Sequence, residues 1–202
     1  GHTCAAGRDR PPGADMATAH PLATEAGFQA LNRGGNAFDA AVAVSAALAV
    51  VEPYSSGLGG GGFWLLHRAS DGRQVMIDGR ERAPLAAEPG LYYDPTGQLQ
   101  PGRLLDGPLA AGIPGEPAAL AHLSQHYGRL PLAVSLEPAV RLARDGFPVD
   151  EQYRQMAGAR LDAIRQSSAA RSQFLVNGDV PPDGYLLRQT DLAGTLMMLG
   201  EH

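Results

Sequence analysis

The longest apolar stretch of the chain, residues 40–51, is almost entirely Ala and Val, with Ser45 its one polar member. A helix apolar on nearly every face is buried on both sides, and small side chains let it approach its neighbours closely. Asn36 stands where an N-cap accepts hydrogen bonds, Asp39 falls in the first turn where a carboxylate meets the positive helix end, and Pro53 closes the run. Before it, residues 22–33 carry Leu22, Ala26, Ala30 and Leu31 at helical spacing, with Pro21 at the start and Gly34-Gly35 at the stop. Residues 16–20 are expected to form a short strand.

Downstream, residues 63–67 and 74–77 read as two strands joined through Asp71-Gly72, a hairpin signal, and a third strand is expected at 109–113. From Pro114 onward the pattern turns helical over 117–127, 132–144, 151–164 and 191 to the end, punctuated by Gly128, Gly146 and Pro181-Pro182. Early strands with flanking helices predict an α/β layered fold whose sheet is mostly antiparallel. Residues 1–15, polar and rich in Gly, Pro and Arg, read as a disordered leader or tail, leaving 16–202 as the folded portion.

Composition narrows the chemistry. A net charge of −5 offers no clustered basic surface for nucleic acid, and the apolar run falls short of the ~20 residues that span a bilayer. A single cysteine, Cys4, excludes an internal disulfide framework. Gly57, Gly59 and Gly62 spell a dinucleotide fingerprint, but a helix precedes them and a strand follows, the reverse of what pyrophosphate binding needs. The four glycines 59–62 are instead expected to let the backbone pass close to neighbouring layers, so that Gly60→Val impairs folding or maturation before substrate affinity. His122 and His126 lie one turn apart without a third ligand or a glutamate base, so neither metal nor cofactor is predicted. Ser55-Ser56 fails the nucleophile-elbow frame and reads as turn chemistry.

The run Asp78-Gly79-Arg80-Glu81-Arg82-Ala83-Pro84 sets a dense charge cluster at the exit of a strand. Arg80 or Arg82 can hold an anionic substrate through a planar fork of donors, with Asp78 or Glu81 orienting it; a solvated run of alternating charge is the competing reading.

In order and spacing, His20-Pro21-Leu22-Ala23-Thr24, Gly34-Gly35-Asn36-Ala37-Phe38-Asp39, the 59–63 run and the 78–84 cluster resemble the γ-glutamyltranspeptidase family. The resemblance continues through Gly112-Ile113-Pro114-Gly115-Glu116, Tyr127-Gly128-Arg129-Leu130-Pro131 and Gly146-Phe147-Pro148-Val149, and covers nearly everything from Met16 onward. It implies the N-terminal portion of a large subunit in an N-terminal-nucleophile hydrolase, an αββα sandwich made as a precursor that cuts itself into two subunits. It further implies γ-glutamyl transfer or hydrolysis on glutathione and related γ-glutamyl amides, in a periplasmic or secreted setting.

The nucleophile the family uses is a threonine at the start of the small subunit, which is the expected partner. Thr18, Thr24, Thr96, Thr190 and Thr195 match no processing site, so no catalytic residue is expected within this chain, which is expected to be inactive alone. Arg80 matches the arginine that clamps the substrate α-carboxylate, and Glu81 its acidic neighbour. A cephalosporin or glutaryl acylase of the same fold, and a noncatalytic fragment or binding module, remain the alternatives.

Overall fold

A computed structural model describes residues 13–201. The expected disordered leader lies outside the described residues except at positions 13–15, which are exposed and carry no regular structure. Helix α1 spans Pro21–Asn32 and α2 spans Ala37–Val51; a hairpin of β1 (Phe63–Arg68) and β2 (Arg73–Asp78) follows. After a long segment broken by three short 3-10 turns come α3 (Glu116–Tyr127), α4 (Leu132–Asp145), β3 (Phe147–Pro148), α5 (Glu151–Ala159), α6 (Leu161–Gln166), α7 (Ser168–Phe174), β4 (Leu186–Leu187) and α8 (Thr190–Gly200).

Helix α2 is the core of the arrangement. Only Ala37 of its residues is exposed, and α1, α3 and α4 all pack against it. Fully burying each of Val42, Val50 and Val51 stabilises the fold by about 1.5–3 kcal/mol. Its N-terminus is fixed by a capping box: the Asn36 side chain accepts from the backbone N–H groups of Phe38 and Asp39, while Asp39 accepts from Asn36 N–H at 2.8 Å. The fully buried Asp39 carboxylate goes further and accepts from the N–H groups of Arg129 at 3.0 Å and Leu130 at 3.2 Å. Asn36 Nδ2 donates to the Tyr127 carbonyl at 2.7 Å. Gly128 makes this meeting possible, because a Cβ there would stand 2.5 Å from Asp39 Oδ1 and 2.7 Å from the Ser124 carbonyl. One short polar sequence thus caps α2 and joins it to the loop between α3 and α4.

The hairpin lies against this helical layer. Trp64 Nε1 donates to Ser45 Oγ at 3.2 Å, tying β1 to the one polar side chain of α2's apolar run. Phe63 pairs with Asp78 and Arg68 with Arg73 at the two ends of the antiparallel register. Phe63, Leu65 and Met76 face away from the helices and are exposed. Gln189, buried, donates from Nε2 to the Val50 carbonyl at 2.8 Å and ties the start of α8 to the end of α2.

The layered α/β reading and its antiparallel pairing hold: helices on one face of a hairpin, and antiparallel pairs throughout the named strands. Three element assignments change. Residues 16–20 form no strand; Thr18 Oγ1 instead donates to the His20 carbonyl at 2.8 Å, and His20 Nδ1 accepts from Leu22 N–H at 3.1 Å to begin α1. The strand expected at 109–113 reduces to a single bridge between Arg82 and Ile113, because Pro108 and Pro114 remove backbone donors on both sides. The helix expected over 151–164 divides at Arg160, whose backbone (φ −116°, ψ 12°) leaves the helical region.

Asp39→Ala is expected to lower stability by about 3 kcal/mol or more, since it strands several buried N–H donors at once, whereas Asp39→Asn keeps an acceptor and loses less. Urea unfolding of the two variants beside the parent protein checks the order; equal and small shifts would show that the buried carboxylate is not what fixes α2.

Candidate functional site

The charge cluster begins where β2 ends. Asp78 Oδ1 accepts from the Arg80 N–H at 3.0 Å, an Asx-type turn that bends the chain out of the hairpin. Just before the bend, Gly79 N–H donates to the Gly62 carbonyl at 2.9 Å and Gly62 N–H returns the bond at 3.3 Å. Gly60 offers its carbonyl to the N–H groups of Gly115 and Glu116, each at 3.1 Å, so the glycine turn, the strand exit and the start of α3 meet through backbone alone. A Cβ on Gly61 or on Gly115 would fall onto the Gly79 carbonyl oxygen, and one on Gly79 would stand 2.6 Å from the Trp64 ring and 2.8 Å from Ala119 Cβ. At Gly60 the same atom would meet Glu81 Oε1 and the Gly57 carbonyl at 3.4 Å, which is ordinary contact. The steric demand expected at Gly60 therefore falls on its neighbours Gly61, Gly79 and Gly115.

This crossing sets Arg80 and Glu81 side by side on a ridge. Arg80 projects with about two-thirds of its side chain exposed, its guanidinium carbon 6.0 Å from the centre of the Phe63 ring and its Nε 3.3 Å from Glu81 Oε2. Glu81 thus meets the guanidinium from the Nε side and leaves the Nη edge facing outward. On one flank of the ridge is a cleft of about 490 Å³ lined by Arg80, Arg82, Met76, Ile113 and His122. On the other is a cleft of about 380 Å³ lined by Glu81, Glu116, Tyr54 and the glycine turn. Arg82 is drawn into its backbone bridge with Ile113, and Asp78 is engaged in the turn.

Glu116 is the residue whose role the sequence does not reveal. In the sequence it stands only as the last residue of the Gly112–Glu116 motif, just before the helix expected at 117–127, yet it is buried at 7% exposure, and burial together with the nearby Glu81 charge pushes its carboxyl up to about 7. The remaining candidates behave as turn and surface residues. Ser55 and Ser56 donate their N–H groups to the Glu52 carbonyl at 2.9 Å, and β1 follows the glycine turn, where a dinucleotide site needs a helix. The His122 and His126 rings stack 4.3 Å apart, and among the described residues no group of three His, Cys, Asp or Glu side chains is arranged to hold a metal.

A guanidinium held from its Nε side and open along its Nη edge is suited to a carboxylate. The family model described as gamma-glutamyltranspeptidase matches residues 23–202. The chain belongs to that family. A glutathione hydrolase proenzyme of Bacillus subtilis (strain 168) is 38% identical over 186 residues, covering 91% of this chain and 31% of the relative. The crystal structure of Helicobacter pylori γ-glutamyltranspeptidase superposes with a TM-score of 0.89 at 35% identity over 96% of this chain and 55% of that one. A cephalosporin acylase from Bacillus halodurans superposes with a TM-score of 0.78 at 28% identity, over 98% of this chain and 39% of that one. The chain spans about a third of the length of the curated relatives it matches. Among the described residues no helix is long and apolar enough to cross a membrane.

Two outcomes follow from this geometry. Gly61→Ala is expected to reduce the yield of soluble, folded protein sharply while Gly60→Ala leaves it close to the parent; equal yields would show that the crossing yields to a Cβ. Glu116, with its pKa raised on folding, favours the folded state fully below the ordinary carboxyl range and loses that contribution as pH rises through about 7. Thermal melting from pH 5 to 8 should therefore fall less steeply in Glu116→Gln than in the parent, and parallel curves would contradict the assignment.

Proposed function

We propose that this chain is the N-terminal portion of the large subunit of an enzyme that transfers or hydrolyses γ-glutamyl groups of glutathione and related γ-glutamyl amides. The observation that carries the reading is Arg80: a guanidinium that leaves a glycine-only backbone crossing, contacts Glu81 through its Nε side and is largely exposed, in a chain of this family. In the complete protein Arg80 binds the substrate α-carboxylate through two charge-assisted hydrogen bonds, and Glu81 is a positioning residue that orients the guanidinium. That anchor sets the γ-carbonyl at a fixed distance from the strand exit, where a threonine of the partner small subunit attacks it with its own α-amino group as base. The γ-amide C–N bond breaks as the amine departs with the proton taken from the hydroxyl, and water or an acceptor amine then displaces the threonine from the resulting acyl ester.

The same reading places the helical layer and hairpin within an αββα sandwich. The exposed outer face of the hairpin, with Phe63, Leu65 and Met76, is the surface a second sheet would cover. A periplasmic or secreted setting belongs to the same reading. The structural similarity to a cephalosporin acylase supports a second reading, in which the acyl group is glutaryl. Arg80 alone does not separate the two, since a glutaryl group also presents a carboxylate; kinetics on γ-glutamyl and glutaryl anilides do.

Steady-state kinetics on the complete processed enzyme test the anchor. Arg80→Ala is expected to lose about 2–5 kcal/mol of substrate stabilisation, Arg80→Lys to keep part of the activity because it retains charge without the planar fork, and self-cleavage to survive both. A γ-glutamyl substrate is to be compared with an analogue lacking the α-carboxylate; if Arg80→Ala leaves the preference between them unchanged, the surface-charge reading returns.

A further inference from the structure

Glu116 combines three features that its place in the helix does not require. The residue is more than nine-tenths buried, its carboxylate makes no hydrogen bond among the described residues, and its oxygens open onto the cleft it shares with Glu81. Its backbone cannot drift from that position, because its N–H and that of Gly115 both bond to the Gly60 carbonyl and Gly115 is pressed against the Gly79 and Arg80 carbonyls. The ionisable groups that share its cleft are Glu81 from the strand exit and Tyr54 from the turn after α2; Asp78, Arg80, Arg82 and His122 line the separate cleft on the Arg80 side of the ridge. Of these, Glu81 is the charge that acts on Glu116, and Glu81 is also the partner of Arg80.

We propose that Glu116 sets how tightly Arg80 holds an anionic substrate: protonated, it leaves the Arg80–Glu81 pair neutral, and ionised, it adds a second negative charge beside Glu81, the partner of the guanidinium, and so weakens carboxylate binding. The inference rests on the reading of Arg80 as the carboxylate anchor and deepens it by assigning a specificity-determining residue one step behind it. Burial and the Glu81 charge bring the Glu116 carboxyl into the neutral range, so the change falls where the enzyme works. The sign is fixed by the charges. Below about pH 7 Glu116 is neutral and the anion is held well; above it the extra charge repels the anion. A carboxylate bound at Arg80 in turn favours the protonated form of Glu116, so binding near neutrality takes up a proton.

The experiment measures KM against pH, from 6 to 8.5, on the complete processed enzyme and its Glu116→Gln variant, with the γ-glutamyl substrate and the analogue lacking the α-carboxylate. Over this range the parent KM for the γ-glutamyl substrate should rise about fivefold more than that of the variant, the scale of one unit charge acting over a few ångströms when screened by water, while the analogue shows no such difference. A purely structural Glu116 would shift yield or kcat and leave the two KM profiles parallel, which overturns the inference. Calorimetry on the parent enzyme, with a competitive γ-glutamyl inhibitor at pH 7.5 in buffers of different ionisation enthalpy, gives an answer even if the variant does not mature: proton uptake supports the assignment and its absence refutes it. If Arg80→Ala removes the preference for the carboxylate while the Glu116 results are negative, the anchor stands and this inference alone fails. If Arg80→Ala leaves the preference intact, both fall.

Discussion

The Gly79 carbonyl is crowded from two sides by backbone, with Gly61 above it in the chain and Gly115 below, and neither position has room for a Cβ. Three segments far apart in sequence can share one point only if none of them carries a side chain there. Everything that gives this surface its chemistry descends from that point. Arg80 and Glu81 are the next residues out of the crossing, and Glu116 is the next residue after Gly115, held by the Gly60 carbonyl. The charged side chains are flexible, but their origins are not, and the Asp78 turn fixes the direction in which the first of them leaves. A site built on backbone contact of this kind loses little when one side chain moves.

Helix α2 gives the crossing something to rest on. Its small side chains let α1, α3 and α4 close around it, and the Asp39 carboxylate links its N-terminus to the loop after α3, the helix that Glu116 begins. Trp64 reaches back from β1 to Ser45, and its ring is also what a side chain on Gly79 would strike. The core and the site therefore share members, which is why substitutions at Gly61, Gly79 or Gly115 are expected to register first as failures of folding.

Much of this was legible in the sequence, and the exceptions have physical causes. The Ala and Val run, the Asn36 and Asp39 caps and the Asp-Gly hairpin are local signals, and α2 and the hairpin lie where those signals put them. Arg80 and Glu81 were visible as charge at a strand exit and as a family motif, and the structure brings them into contact. Residues 16–20 and 109–113 carry strand-like residues, but a strand needs a neighbour; in one case the His20 carbonyl and ring nitrogen are taken up as acceptors at the start of α1, and in the other donors are missing at proline. The two-residue pairing of β3 with β4 is too short for any alternation to announce it. Glu116 was invisible as a functional residue because its burial arises from Gly60 and Gly115, more than fifty positions apart along the chain.

The account depends on Arg80 meeting a substrate carboxylate. A crystal structure of the complete processed enzyme with a bound γ-glutamyl compound measures that directly. The α-carboxylate should lie on the Nη edge of Arg80 with both of its oxygens within hydrogen-bonding distance, and Glu81 should remain at the Nε side. A γ-glutamyl group bound with its α-carboxylate held elsewhere, and Arg80 turned into solvent, would contradict the account.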